Sequence, residues 1–83
     1  MRSALVLEPG VVWLQREDYE VVPLNPHHSV SKLAEAIERG IPAVPDSNRP
    51  DFYEVSLTNC SAYVHVHDAA RRVYLVACLG VQQ

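Results

Sequence analysis

Residues 52–79 read FYEVSLTNCSAYVHVHDAARRVYLVACL, and this stretch decides the fold of the chain. It consists of three alternating segments separated by two turn signals, at 58–61 and 68–71. Successive side chains of a β-strand point to opposite faces, so alternation of apolar and polar residues predicts half-buried strands. Asn59 suits the left-handed conformation that tight hairpins use. The stretch therefore predicts three antiparallel strands joined by two short turns.

The turns also predict which residues lie opposite one another. A turn at 58–61 places Val55 opposite Val64, and the second turn places Val64 opposite Leu75. These residues share one apolar face. A slip of one residue would move the apolar set of one strand to the other face, so burial of the apolar face fixes the predicted register.

The opposite face of these strands mixes aromatic and polar residues, and it is the surface that most requires a functional explanation. In the predicted register, Glu54, His65 and Tyr74 lie in one row across the three strands. Tyr63 and His67 flank this row on the middle strand. We interpret these five residues as a candidate ligand-binding surface. The other members of the predicted face include Phe52, Val76 and Cys78.

Length, composition and charge limit the classes of protein to which this chain can belong. Its 83 residues predict one domain, and a hydrophobic fraction of 48% with 20% charged residues suffices for one modest core. The formal net charge is −3, and the seven lysines and arginines are scattered along the chain. Because nucleic-acid binders use a basic stripe to contact phosphates, we expect no nucleic-acid partner.

Neither a membrane segment nor a secretion signal is expected. No apolar run approaches the ~20 residues of a membrane-spanning helix, and the run at 4–7 is too short for a signal peptide. Two cysteines without a secretion signal favour a reducing, cytoplasmic setting. The predicted register puts Cys60 beside Cys78 but on the opposite face, so free thiols are favoured over a disulfide.

The N-terminal part of the chain predicts three short strands. The apolar runs 4–7 and 11–14 flank a Pro-Gly turn, and we interpret them as a hairpin. Residues 19–22 form the third strand, which ends at Pro23 because proline cannot donate to a strand ladder. These runs are apolar at successive positions, which indicates that both of their faces are covered.

One helix is predicted, at about 30–39, and its apolar residues form a single stripe that packs on a sheet. Ser29 is placed to cap its first turn, Gly40 to end it, and Pro42 to prevent its continuation. Residues 41–51 contain three prolines and predict an ordered connecting loop. The apolar stripe consists of Val30, Leu33, Ala34 and Ile37.

Together these elements predict an α+β fold, with an antiparallel sheet of about five to six strands in the order βββ-α-βββ and the helix packed on one face. A small, partly open β-barrel with one helix is the alternative. One helix covers only one face, so the aromatic face needs another cover. Either the N-terminal hairpin folds over it, or two chains pair there. We favour the homodimer, because a short chain buries a small share of its own surface.

His65 and His67 form a candidate metal site, since two histidines at i and i+2 of a strand point the same way. Glu54, or the pair His27 and His28, could supply a third ligand. Two histidines on a solvated strand face are common, however, and no established zinc-binding spacing accompanies them. No metal and no cofactor is therefore expected.

Glu54, His65 and Tyr74 could also act in catalysis, with the carboxylate orienting the imidazole as a base and the tyrosine as a donor. A row of cross-strand pairs that stabilises the sheet explains the same residues. The sequence has neither a nucleophile elbow nor a glycine-rich phosphate loop. No catalytic residue is assigned. A metal-binding protein or hydrolase that uses these residues and His67 is the second hypothesis.

The predicted helix and three-stranded meander, whose last strand contains Val73, Tyr74 and Leu75, resemble the C-terminal half of RelE-type ribonuclease toxins. The resemblance covers roughly half of the chain and implies ribonuclease activity, which is the third hypothesis. The leading hypothesis is a small, non-enzymatic interaction module that forms a homodimer. A small molecule or another protein is the other candidate partner, and its identity is not predicted.

Overall fold

The computed structural model describes residues 9–58 and 60–80. Within them, two strands precede one α-helix and four strands follow it, which confirms the predicted α+β fold of about five to six strands with a single helix but not the predicted order βββ-α-βββ. The predicted strand at 4–7 lies outside the described residues. The elements in chain order are β1 (Val12–Leu14), β2 (Glu20–Pro23), α1 (Ser31–Arg39), β3 (Ile41–Pro45), β4 (Phe52–Ser56), β5 (Cys60–His67), a 3₁₀ turn (Asp68–Ala70) and β6 (Arg72–Gly80).

The six strands form one sheet in the order β1-β3-β4-β5-β6-β2. Neighbouring strands are antiparallel except β2, which runs parallel to β6. The sheet is therefore mixed and not wholly antiparallel as predicted. The difference arises because β2 does not pair with β1, its neighbour in sequence, but crosses to the other edge of the sheet.

Residues 15–19 connect the two edge strands, and the shortness of this connection shows that the sheet is curved. A flat sheet of six strands would separate its edge strands by about 24 Å, at about 4.8 Å for each spacing. The chain from Leu14 to Glu20 reaches about 21 Å at most when fully extended. The sheet therefore curls, but β1 and β2 do not pair, so it is not closed into the alternative barrel.

Strand β3 occupies a stretch that was predicted as a loop, and that prediction is wrong. Ile41 and Ala43 are buried and alternate with exposed Pro42 and Val44, which is the pattern of a half-buried strand. The prolines concealed this pattern, since proline removes a donor from the ladder. Pro42 lies opposite Trp13 of β1, and β1 has only three residues, so few ladder bonds are affected.

The pairing of β4 with β5 is shifted by two residues from the predicted register. Val55 lies opposite Ala62 instead of Val64. The turn is one residue earlier than predicted, because the N–H of Leu57 donates to the carbonyl oxygen of Cys60 at 2.7 Å. A shift of two residues leaves each side chain of β4 on its predicted face, although it changes the partner across the ladder.

The pairing of β5 with β6 follows the predicted register at first and then departs from it. Val64 lies opposite Leu75 as predicted. A β-bulge then inserts Val76 as an extra residue in β6, and beyond it Cys78 lies opposite Ala62. A shift of one residue reverses the faces, so Cys78 packs against the core on the helix side. Its predicted position on the aromatic face is therefore wrong.

The buried core lies between α1 and the sheet. Leu33 and Ile37 of the helix belong to one buried cluster with Val55, Val64 and Leu75, as the shared apolar face predicts. The described core residues are Leu14, Leu33, Ile37, Ile41, Ala43, Val55, Ala62, Val64, Val66, Val73 and Leu75.

The ends of α1 differ in how well the sequence predicts them. Gly40 ends the helix as predicted, at a φ of 102°, and a Cβ there would lie 2.4 Å from the indole of Trp13. Ser29 does not cap the helix, since its hydroxyl lies 3.4 Å from that of Ser31 and no side chain caps the first turn. No helix in the described part of the chain is long and apolar enough to cross a membrane.

Candidate binding surface

The face of the sheet opposite α1 carries the candidate surface, which we call the open face. It arises because residues of β4, β5 and β6 alternate with the core residues of the same strands. No described helix or strand is layered on it. The open face consists of Phe52, Glu54, Tyr63, His65, His67, Tyr74, Val76, Ala77 and Leu79. Its central residues Phe52, Tyr63, His65, Tyr74 and Val76 are half-buried, because neighbouring side chains on the same face shield one another.

Aromatic rings form a continuous stack across the three central strands. Phe52 and His65 lie opposite each other, with ring centroids 4.3 Å apart and planes only 1° from parallel. Tyr63 adjoins Phe52 at 5.5 Å, and Tyr74 adjoins His65 at 6.1 Å. Contacts of this kind stabilise the rings against one another. The open face therefore presents a broad and ordered aromatic surface.

A shallow depression of about 410 Å³ lies on this surface. The aromatic part of its lining comes from Phe52, His65 and Tyr74. Leu24 lies on its wall and is 59% exposed. The remaining lining residues are Arg49 and Val76. The depression can accommodate a flat apolar group bounded by a guanidinium.

The loop between β3 and β4 places charged groups at one rim of the open face. The guanidinium of Arg49 lies 5.6 Å from the ring centroid of Phe52, within cation–π distance. The hydroxyl of Tyr63 donates a hydrogen bond to the carboxylate of Asp46. This bond lowers the pKa of Asp46 and raises the pKa of Tyr63. Asp46 also accepts the N–H of Asn48 at 2.8 Å, which orders the loop.

The other rim of the open face is also charged. Arg72 lies opposite both His67 and Glu20, one on each neighbouring strand. The Nε of Arg72 lies 3.5 Å from the carboxylate of Glu20. Both side chains are well exposed, so this ion pair adds little to stability. The aromatic stack is thus bordered by charge at both ends.

All five predicted binding residues lie on the open face, but Glu54 is displaced along it. Glu54 lies opposite Tyr63 and not in the row of His65, where Phe52 takes its predicted position. The two-residue shift in the pairing of β4 causes this displacement. The catalytic hypothesis required a carboxylate paired across the strands with the imidazole, and the observed register does not provide one.

The two histidines of β5 lie side by side without a third metal ligand. The rings of His65 and His67 have centroids 6.1 Å apart and planes 13° from parallel. Within residues 9–58 and 60–80, no group of three potential ligands is placed to hold a metal ion. His27 and His28 lie in the loop before α1, where His27 is exposed and His28 is half-buried.

Asp68, which directly follows the two histidines, has a structural role. Its carboxylate accepts hydrogen bonds from the Nε of Arg16 at 2.8 Å and from the hydroxyl of Tyr19 at 2.5 Å. The bond with Arg16, followed by that with Tyr19, lowers the pKa of Asp68. The three residues tie the connection between the edge strands to the turn between β5 and β6.

Sequence reasoning missed two residues of the depression, Leu24 and Arg49. Leu24 reaches it because its N–H donates to the carbonyl oxygen of Leu75 at 3.0 Å, which continues the parallel pairing of β2 beyond Pro23. Arg49 reaches it from a loop. For Leu24, the available sequence signal was a leucine directly after the proline that ends a predicted strand.

Comparison with known proteins identifies no relative. The chain matches no protein-family model, no curated protein and no solved structure. The function therefore has to be inferred from the geometry of the open face.

Proposed function

We propose that this protein is a small, non-enzymatic interaction module that acts in the cytoplasm and forms a homodimer through its open face. The observation that carries the proposal is the aromatic stack of Phe52, His65 and Tyr74 on a sheet face that no helix or strand of residues 9–58 and 60–80 covers. Soluble monomers rarely leave a contiguous apolar patch of this kind exposed, and such patches mark interaction sites.

The distribution of charge on the open face supports an interface. Aromatic groups occupy its centre, whereas Arg49 lies at one rim and the pair Glu20 and Arg72 at the other. Protein interfaces have this arrangement, with an aromatic-rich core that is depleted in charge and a polar rim.

The edges of the sheet support pairing by faces over pairing by edges. The edge strand β1 has three residues, and β2 has four and ends at Pro23. Short edge strands and proline discourage the addition of another strand. The open face is therefore the better surface for a second copy.

A two-fold axis suits this surface. Homodimers usually pair the same patch of both chains about such an axis. With the axis near His65, the middle ring of the stack, Phe52 of one chain would approach Tyr74 of the other. The cytoplasmic setting has separate support, since Cys60 and Cys78 are both free thiols, as is usual in a reducing compartment.

Sedimentation equilibrium at micromolar concentration tests the proposal. We expect about twice the chain mass of 9.3 kDa. The variant His65→Glu places a carboxylate at the centre of the stack and should reduce the mass to that of one chain. The matched control, Ala69→Glu, adds the same charge at an exposed position of the 3₁₀ turn and should remain dimeric. A monomeric unmodified protein, or a dimeric His65→Glu variant, would contradict the proposal.

A second candidate function is the binding of a small planar molecule, and the depression favours it. Its lining combines three aromatic rings with the guanidinium of Arg49, a set that suits a flat anionic ligand. Native mass spectrometry distinguishes the candidates. A small-molecule receptor would retain a ligand of defined mass, and a metal-binding protein or hydrolase would lose an ion when chelator is added. If the protein is a homodimer without a ligand, the mass of two chains alone is expected both with and without chelator.

A further inference from the structure

A cavity of about 250 Å³ lies between the start of α1 and the sheet, on the face opposite the open face. Leu33, Leu57 and Leu75 contribute apolar walls. The chain has two cysteines, Cys60 and Cys78, and both line this cavity. The proposed dimerisation uses neither of them, so the presence of both thiols in one cavity calls for a separate explanation.

The β-bulge brings the two cysteines to the same face of the sheet. A regular ladder would place Cys78 opposite Ser61, with its side chain pointing away from the cavity. Because Val76 is an extra residue, Cys78 instead lies opposite Ala62, two residues from Cys60 and on the same side. Diagonal neighbours on adjacent antiparallel strands lie within reach of each other's side chains.

The two thiols are neighbours in one cavity and are accessible. A hydrogen bond with Cys60 raises the pKa of Cys78, and partial burial raises it further. Cys78 therefore retains its proton and can donate it towards the sulfur of Cys60. Both residues are half-buried, so a small reagent that enters the cavity can reach them.

We propose that Cys60 and Cys78 are a modification site, at which exchange with a small anionic disulfide of the glutathione class forms an intramolecular disulfide. The anionic class follows from the polar part of the cavity lining. Lys32 supplies a positive charge there, and the hydroxyls of Ser31 and Thr58 lie beside it.

The exchange proceeds in two steps. The thiolate of Cys60 attacks one sulfur of the small disulfide, breaks its S–S bond and releases one small thiolate. Cys78 then loses its proton to solvent and attacks the sulfur of Cys60, which releases the second small thiol. The two cysteines are oxidised by two electrons, and the small disulfide is reduced to two thiols.

A disulfide between these diagonal neighbours requires the backbone to adjust, because such pairs are separated by about 7–8 Å and disulfides span Cα distances below about 7 Å. Cys60 is the first residue of β5, and Cys78 lies close to the end of β6. The adjustment therefore occurs at the end of the sheet, away from the fully buried pair Val64 and Leu75. The new bond would tie the ends of the two strands together across the cavity.

Intact-mass spectrometry after incubation of the reduced protein with glutathione disulfide tests the proposal. The protein should lose about 2 Da, the mass of two hydrogens, and carry no adduct. Under non-reducing denaturing conditions it should keep the mass of one chain. Two glutathione adducts, no reaction, or a covalent dimer would overturn the proposal.

Variants separate the pairing from general thiol reactivity. Cys78→Ser should stop at the mixed disulfide with one glutathione on Cys60. The matched control combines Cys78→Ser with Ala77→Cys, which keeps two thiols but moves one to the opposite face. This control should lose the 2 Da product and accumulate adducts, while circular dichroism confirms that it is folded. Formation of the internal disulfide in this control would show that the cavity geometry is not responsible.

Discussion

The two faces of β6 differ in the residues that they carry and in what packs on them. Leu75 is 1% exposed and packs under α1, whereas its neighbour Tyr74 is half-buried and belongs to the open face. The helix face is filled by aliphatic residues that exclude water, and the open face by rings that contact one another but are covered by none of the described helices or strands. Burial under the helix therefore explains the composition of the first face, and the proposed dimerisation would explain that of the second.

The largest expected effect comes from truncation on the helix face. Leu75→Ala removes a buried side chain and should lower the free energy of unfolding by about 2–5 kcal/mol. The matched variant Tyr74→Ala should cost clearly less, provided that the measurement is made where the protein is monomeric. Denaturant unfolding of both variants tests the comparison. Equal losses would show that the two faces do not differ in the way described.

A smaller effect is expected where β1 meets the end of α1. Gly40→Ala adds a Cβ against the indole of Trp13 at a positive φ, and we expect a loss of about 1–2 kcal/mol. The ring is partly exposed and can move aside, which limits the loss. In the background of Trp13→Ala the same change should cost less. An unchanged cost in that background would assign the whole effect to backbone strain.

Acidification should weaken the contact of Asp68 with Arg16 and Tyr19. The pKa of Asp68 is lowered in the folded state, so its contribution is fully present above the ordinary pKa of about 4 and is lost as pH falls through the lowered pKa. The loss is small because the carboxylate is partly exposed. Between about pH 4 and pH 2, the free energy of unfolding should fall less steeply with decreasing pH for Asp68→Asn than for the unmodified protein. Identical slopes would contradict this assignment.

The last prediction concerns nucleic-acid binding, and we expect no binding. Aromatic sheet faces can stack nucleic-acid bases, but such sites also need a positively charged groove. The chain has a net charge of −3, and Arg72 at the rim of the open face is paired with the carboxylate of Glu20. Fluorescence anisotropy with single-stranded RNA at low salt should show no binding. Salt-sensitive binding at micromolar concentration would contradict this prediction and would favour RNA recognition over dimerisation as the role of the open face.

The helix face was predictable from the sequence because its pattern has one physical cause. Alternation of Val55, Val64 and Leu75 with polar neighbours, together with the helical spacing of Leu33 and Ile37, predicts a shared core, and the structure confirms it. The parallel pairing of β2 was not predictable, because local patterns contain no information on which edge a short strand joins.

The open face was predictable in composition but not in arrangement. The face of His65 and Tyr74 follows from alternation alone, whereas their neighbours depend on the exact turn. The position of Glu54 changed because the turn lies one residue earlier, and the position of Cys78 changed because of the bulge at Val76. Neither feature has a distinctive sequence signature, since the turn contains several suitable residues and the bulge contains no glycine.

The parallel pairing of β2 with β6 has a consequence for synthesis on the ribosome. Glu20 pairs with Arg72, so β2 emerges long before its partner strand has been translated. The β2 edge of the sheet can be completed only after nearly the whole chain is available, and such distant pairing slows folding. The nascent β2 segment therefore has no partner strand until late in synthesis, which makes it a segment on which a chaperone would act.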